Sequence, residues 1–340
     1  MSIPPEILFH RFFQSGELGP RDRELYRGKQ DLEKLPLDVR SLLGGIQEHI
    51  NESLQQENQN VPEHVDHPPF HFDYIESSVP NALAFRYEGY SFIGVTIGLI
   101  YVLWDVCIRL SRSEGMATLV GVGPSADDHD MFHLVLNRIL LLFVIAHEYT
   151  HHVHGHVCPR EPGTMLYNEI LSESQEGGLE QQTLEVDADG YAAYHCLANL
   201  IDGAERTKAI ALLKLAGEPE SAQDMVLLSC FVSGIGGYLL SQPAAGLDSV
   251  KIYRLTHPPQ AARMNCLMYQ VIGWCKQNRP DLEEWMTLDR FQKLMIVTAE
   301  ALGTECGSVW IEQTAFLKSE TGSEYFRELD RKLKAYVSSL

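Results

Sequence analysis

This sequence predicts an α+β, predominantly helical fold with a small antiparallel sheet beside one histidine-bearing helix. Three observations carry the prediction. Apolar residues recur at helical spacing over most of the chain, and a strand–turn–strand pattern occupies 82–95. Five histidines (His147, His151, His152, His154, His156) follow a long apolar run within ten residues. At 340 residues, 45% hydrophobic and 21% charged, the chain is large and apolar enough to bury a sizeable core.

Taken in order, residues 1–48 are charged and amphipathic and predict helix, whereas the polar, proline-punctuated stretch 49–69 reads as a linker. Ala82–Tyr87 and residues 90–95 predict two strands joined by a Glu88-Gly89 turn. Residues 96–110 have helical spacing at Ile97, Ile100, Leu103, Trp104 and Cys107, and 111–130, rich in Gly, Ser and Asp, reads as a loop. A long helix is predicted over 132–156, with Gly155 near its end, followed by a loop-like 159–182. Helices at 184–200, 204–216 and 222–240 come next. The stretch 256–276 opens on His257-Pro258-Pro259 and continues as helix, and 280–340 is helical and charged.

Composition narrows the function classes. Against 46 acidic residues stand only 27 basic ones, a net −19, which argues against a phosphate-neutralising surface and so against nucleic acid as a partner. The seven cysteines are odd in number and lack a C-x-x-C pair, the pattern of buried thiols in a reduced, cytoplasmic protein rather than a disulfide scaffold. The first residues carry no basic-then-apolar signal pattern. Three apolar runs, at 90–104, 134–146 and 225–240, fall short of the roughly 20 uninterrupted residues of a membrane span, so no integral span is expected.

The central motif is His147-Glu148-Tyr149-Thr150-His151. Histidines at i and i+4 share one helix face, so both imidazoles can meet one zinc ion. Glu148 lies on the adjacent surface, where it can act as general base toward water acidified by the metal. The apolar run 139–146 buries the helix. His152 and His154 point away from the 147/151 face. A catalytic zinc takes three protein ligands, and 34 residues past His151 comes Glu185-Val186-Asp187-Ala188-Asp189. Glu185 and Asp189 are i and i+4, so one can bind the metal while the other hydrogen-bonds a ligand histidine. An acidic, solvated helix start is the plainer alternative for this segment.

Four separated motifs, in order over about 75–270, resemble the gluzincin metallopeptidases of the HtpX and type 1 CAAX prenyl protease group. They are Pro80-Asn81-Ala82-Leu83-Ala84, the H-E-x-x-H stretch with the later His156, Glu185-x-x-Ala188-Asp189, and His257-Pro258-Pro259-x-x-x-Arg263. The resemblance implies one zinc ion per chain on His147, His151 and Glu185, with Asp189 orienting a ligand histidine. It further implies a substrate-side strand at Asn81, Ala82, Leu83 and Ala84, and His257 and Arg263 lining the cleft as stabilisers of the tetrahedral intermediate. From the residues alone, Thr256-His257-Pro258-Pro259 can equally be a helix start, and Arg263 an ion-pair partner.

The chain then divides into an N-terminal helical extension and linker (1–74), a zinc metallopeptidase core (75–276) and a C-terminal helical extension (277–340). The expected activity is zinc-dependent hydrolysis of peptide bonds in a peptide or protein substrate, with oligomeric state left open. The rival is a catalytically silent interaction protein whose zinc is structural, closed by a fourth ligand from His152, His154 or His195. Regulation through the 111–130 loop or the chain ends is a further possibility. Residues 161–190 carry eight acidic side chains and no Lys or Arg, which read either as a solvated loop or as a cleft rim favouring basic peptides.

Overall fold

A computed structural model of the chain describes residues 3–60, 68–123, 125–157, 167–168, 178–242 and 247–338. In chain order its elements are α1 (Pro5–Gln14), α2 (Pro20–Leu25), α3 (Leu37–Asn60), β1 (Phe70–Ile75), β2 (Ala82–Tyr87), β3 (Tyr90–Thr96), α4 (Ile97–Ser111) and α5 (Glu114–Val120). There follow α6 (Ala126–Val153), β4 (Tyr167–Asn168), α7 (Leu179–Ile201), α8 (Ala204–Leu212), α9 (Glu220–Ser241) and α10 (Gln260–Asn278). The last four are α11 (Pro280–Glu283), α12 (Leu288–Leu302), α13 (Thr304–Leu317) and α14 (Glu320–Val337). Two compact units emerge, residues 1–102 with 148–170 and residues 103–147 with 171–340, so α4 and α6 each contribute to both.

The first unit is built on a sheet of order β1-β3-β2-β4. The β2–β3 hairpin closes through Glu88 and Gly89, both at positive φ (47° and 79°), the mirror-image turn whose twist suits a two-residue hairpin loop. β3 pairs antiparallel with β2 but parallel with β1, so the sheet is mixed, not antiparallel throughout as expected. The cause is the connection 76–81, which carries the chain from β1 to β2 before the hairpin inserts β3 between them. One face of the sheet receives α1, whose Phe12 stacks on Phe85 with ring centres 4.0 Å apart. The end of α6 lies against Phe70, with Tyr149 4.8 Å away. Every residue of β1 is buried, although its sequence alternates apolar Phe70, Phe72 and Tyr74 with polar His71 and Asp73.

The outer edge of β1 is closed by the N-terminal segment, and this explains why 49–60 is helix rather than linker. Asn51 donates Nδ2 to the Phe72 carbonyl and accepts the Phe72 N–H, both at 2.9 Å. Asn58 makes the same pair of bonds to Phe70 (3.2 and 2.8 Å). Farther along, Gln30 N–H reaches the Tyr74 carbonyl, and Arg27 and Gly28 pair with Glu76. Polar side chains that suggest a loop are here standing in for a neighbouring strand, which blunts an edge otherwise open to foreign strands. Asn51→Ala should therefore cost about 1–3 kcal/mol by leaving the Phe72 backbone groups unpaired. Chemical denaturation against the unsubstituted protein measures it.

In the second unit α9 is buried along residues 227–240 and packs against α12, α5 and α10. Much of the expected loop 111–130 is helix. Ser113 accepts the Met116 N–H to cap α5, and Ser125 accepts the Asp128 N–H at the start of α6. Serine suits a loop and a helix N-cap alike, so the residue type does not separate the two. The helices also outrun the apolar stretches within them. By length and composition, α6 (28 residues) and α9 (22 residues) are each long and apolar enough to cross a membrane, so the expectation of no such segment is unsupported. Inside the protein, 67% and 83% of their most apolar windows are buried. α6 accommodates its Arg138 by pairing it with Glu205, Nη2 to Oε1 at 2.8 Å.

Candidate active site

Helix α6 is unbroken through His147, Glu148 and His151, so its own pitch sets the two histidines one turn apart on one face. All three side chains are buried. In the second unit, α7 brings two carboxylates to His147. Glu185 Oε2 lies 3.3 Å from His147 Nε2, and Asp189 Oδ1 lies 3.0 Å from His147 Nδ1. His147 and Glu185, both in the second unit, present a nitrogen and an oxygen donor to one another, and His151 follows one turn after His147 on α6. Two ligands bonded at ~2.05 Å to one tetrahedral ion stand roughly 3.3 Å apart, so the His147–Glu185 separation and the N,N,O donor set fit a zinc ion.

Arg263, on α10 and 4% exposed, donates Nε and Nη2 to the two oxygens of Asp189 at 2.8 and 2.7 Å. This bidentate geometry is the strong form of such a pair. Burial alone would raise the Asp189 carboxyl, but the Arg263 charge and the hydrogen bonds from His147 and Arg263 hold it down to about 2. Burial alone would lower His147, yet hydrogen bonds and charge from Asp189 and Glu185 raise it well above its ordinary value.

His257 directs Nε2 to 3.2 Å from Glu185 Oε2, while its Nδ1 is 3.0 Å from Thr256 Oγ1. The backbone before it is fixed by Gln182, which donates Nε2 to the carbonyls of Ile252 and Leu255, both at 2.9 Å. Gln182 Oε1 in turn accepts from the Tyr325 hydroxyl of α14 at 2.6 Å. The C-terminal extension thus braces the His257 segment, a role for which the sequence carries no local signal.

In the first unit, Asn81 is fully buried and spends Nδ2 on the Tyr26 hydroxyl at 2.8 Å. Ala82, Leu83 and Ala84 pair with β3 on one side. On the other side, Leu83 and Ala84 are already paired with Asn168 and Tyr167 of β4. The edge expected to hold substrate therefore carries a piece of the same chain. His152 donates Nε2 to the Phe92 carbonyl at 2.9 Å, tying α6 to the sheet. His154 is half-buried, and His195, exposed, lies beside Tyr191 and Asn199. Of the acidic stretch 161–190, residues 161–166 and 169–177 lie outside the described residues; within it, Glu185 and Asp189 belong to the cluster around His147.

In sequence, His156 figures as the later histidine of the H-E-x-x-H resemblance, with no role at the site attached to it. Gly155, at φ +72°, turns the chain back at the end of α6 so that the Val157 N–H meets the His151 carbonyl at 3.0 Å. That turn lays the buried His156 over His151, Nδ1 to Nδ1 at 2.8 Å. Its signal in sequence is that later histidine together with the glycine before it.

A helix carrying H-E-x-x-H, with a glutamate from a later helix against the first histidine, defines a metallopeptidase-type centre. The chain belongs to Peptidase family M48, whose sequence pattern matches residues 46–271. It is accordingly a metallopeptidase of that family. No curated protein and no solved structure matches the chain.

Proposed function

We propose that the protein is a zinc-dependent endopeptidase. The observation that carries this reading is the His147–Glu185 separation of 3.3 Å beside the Asp189 hydrogen bond to His147 Nδ1. His147, His151 and Glu185 would hold the ion. When bound, zinc supplies Lewis acidity toward the scissile carbonyl and acidifies water at neutral pH. Glu148 takes the proton from the attacking water and returns it to the leaving amine. His257 donates to the oxygen that gains charge. Arg263 and Asp189 keep the His147 ring oriented and act through it, so Arg263 is a positioning residue rather than a second donor to that oxygen. The peptide lies extended along the β2 edge and uses the backbone groups of Leu83 and Ala84 that β4 now uses.

Two observations bear against a closed, structural site. His152 is committed to a backbone carbonyl, and His195 lies on an exposed face. The test is metal analysis with peptide cleavage on the purified chain. Near-stoichiometric zinc is expected, with cleavage lost on chelation and restored by zinc. Cleavage that is indifferent to chelation, or a protein that takes up no zinc, would overturn the proposal.

A further inference from the structure

His156 belongs to the first unit together with His151, and nothing in the proposed reaction uses it. The two Nδ1 atoms are 2.8 Å apart, their ring centres 4.9 Å apart, and both side chains are almost wholly buried. Two neutral imidazoles facing through Nδ1 share one bridging proton, and a second proton must sit on one of the two Nε2 atoms. If the bridging proton belongs to His151, its Nε2 is bare and His156 carries the Nε2 proton. If it belongs to His156, the arrangement is reversed and His151 Nε2 is blocked by hydrogen.

We infer that His156 is a positioning residue for the metal centre: it accepts the Nδ1 proton of His151 and so selects the tautomer that turns a bare Nε2 toward the ion. The inference rests on His151 being a metal ligand. The outer partner of a ligand histidine sets both its tautomer and its ring orientation. This centre then supports its two histidines differently. His147 leans on a carboxylate clamped by an arginine, and His151 on a second imidazole. The placement itself depends on Gly155, whose left-handed backbone returns the chain over the helix end.

The experiment uses the full chain and zinc alone, measured by competition with a chromophoric chelator, so no peptidase activity enters the readout. His156→Ala should weaken zinc binding about 10–100-fold, whereas His156→Asn, whose Oδ1 can accept at nearly the Nδ1 position, should stay within about threefold. Nitrogen chemical shifts of the unsubstituted, zinc-loaded protein should show His151 protonated at Nδ1 and His156 at Nε2. Those shifts decide the matter even if His156→Ala does not fold. Unchanged affinity in folded His156→Ala, an Asn variant as weak as the Ala variant, or a proton on His156 Nδ1 in the zinc-loaded protein would each overturn the inference alone. A chain that binds no zinc would overturn the metal reading of His151 and this inference with it.

Discussion

Glu148→Gln should lower kcat for peptide cleavage by about 10²–10⁴-fold while zinc content stays at the level of the unsubstituted protein. Glutamine has almost the same shape, so the buried position beside His147 and His151 is filled as before. What is lost is the capacity to take a proton. Glu148 is 1% exposed, and in such surroundings a base that is already in place needs no solvent rearrangement at the moment of transfer. The change should therefore appear in kcat with KM nearly constant, the pattern of an interaction made only in the transition state. Steady-state kinetics together with metal analysis read both quantities. A variant that keeps its kcat, or whose defect lies wholly in KM, would remove Glu148 from the proton-transfer role.

Arg263→Met carries the largest expected effect on stability. The guanidinium makes two hydrogen bonds to a carboxylate that is itself 4% exposed, and removing it strands that charge. Breaking a buried pair from one side costs about 3–5 kcal/mol. Asp189→Asn with Arg263→Met should be less damaging than Arg263→Met alone, because the stranded charge is then gone. The pH dependence follows from the depressed Asp189 carboxyl, held at about 2. A depressed carboxyl contributes stability that is present above its ordinary value near 4 and is lost as pH falls toward 2. The unsubstituted protein should thus retain this contribution through mild acid, whereas Arg263→Met should lack it already at neutral pH. Denaturant titrations at pH 7 and pH 4 measure the difference. Zinc affinity in Arg263→Met should also fall about 10–100-fold, since His147 loses the rigid support at Nδ1.

How far the sequence spoke depends on how local the determining contact is. The placement of His147, Glu148 and His151 follows from helix pitch alone, and pitch is a property of five consecutive residues. The β2–β3 hairpin was legible for the same reason, since Glu88-Gly89 announces its own turn. The pairing of Asp189 with Arg263 spans 74 residues, and only the packing of α7 with α10 brings the two together. Strand β1 alternates Phe70, Phe72 and Tyr74 with His71 and Asp73, but the polar, proline-punctuated stretch ending at Pro69 runs straight into it and masks so short a strand. Asp73 is tolerated there through Lys29, whose Nζ is 2.6 Å from its Oδ2. In α3, the asparagines that suggest a loop have side chains that serve as partners for that strand. In each failure a polar residue was read by its local habit when its partner lay far along the chain.

The Tyr325–Gln182 hydrogen bond joins residues 143 positions apart, and through it one hydroxyl of α14 bears on the loop that carries His257. Gln182 spends its Nε2 donors on the Ile252 and Leu255 carbonyls, and Tyr325 holds the opposite end of the same amide. How firmly that loop is held is thus set in part by a helix far along the chain from the H-E-x-x-H motif, and a single missing oxygen at Tyr325 is enough to free the amide to turn.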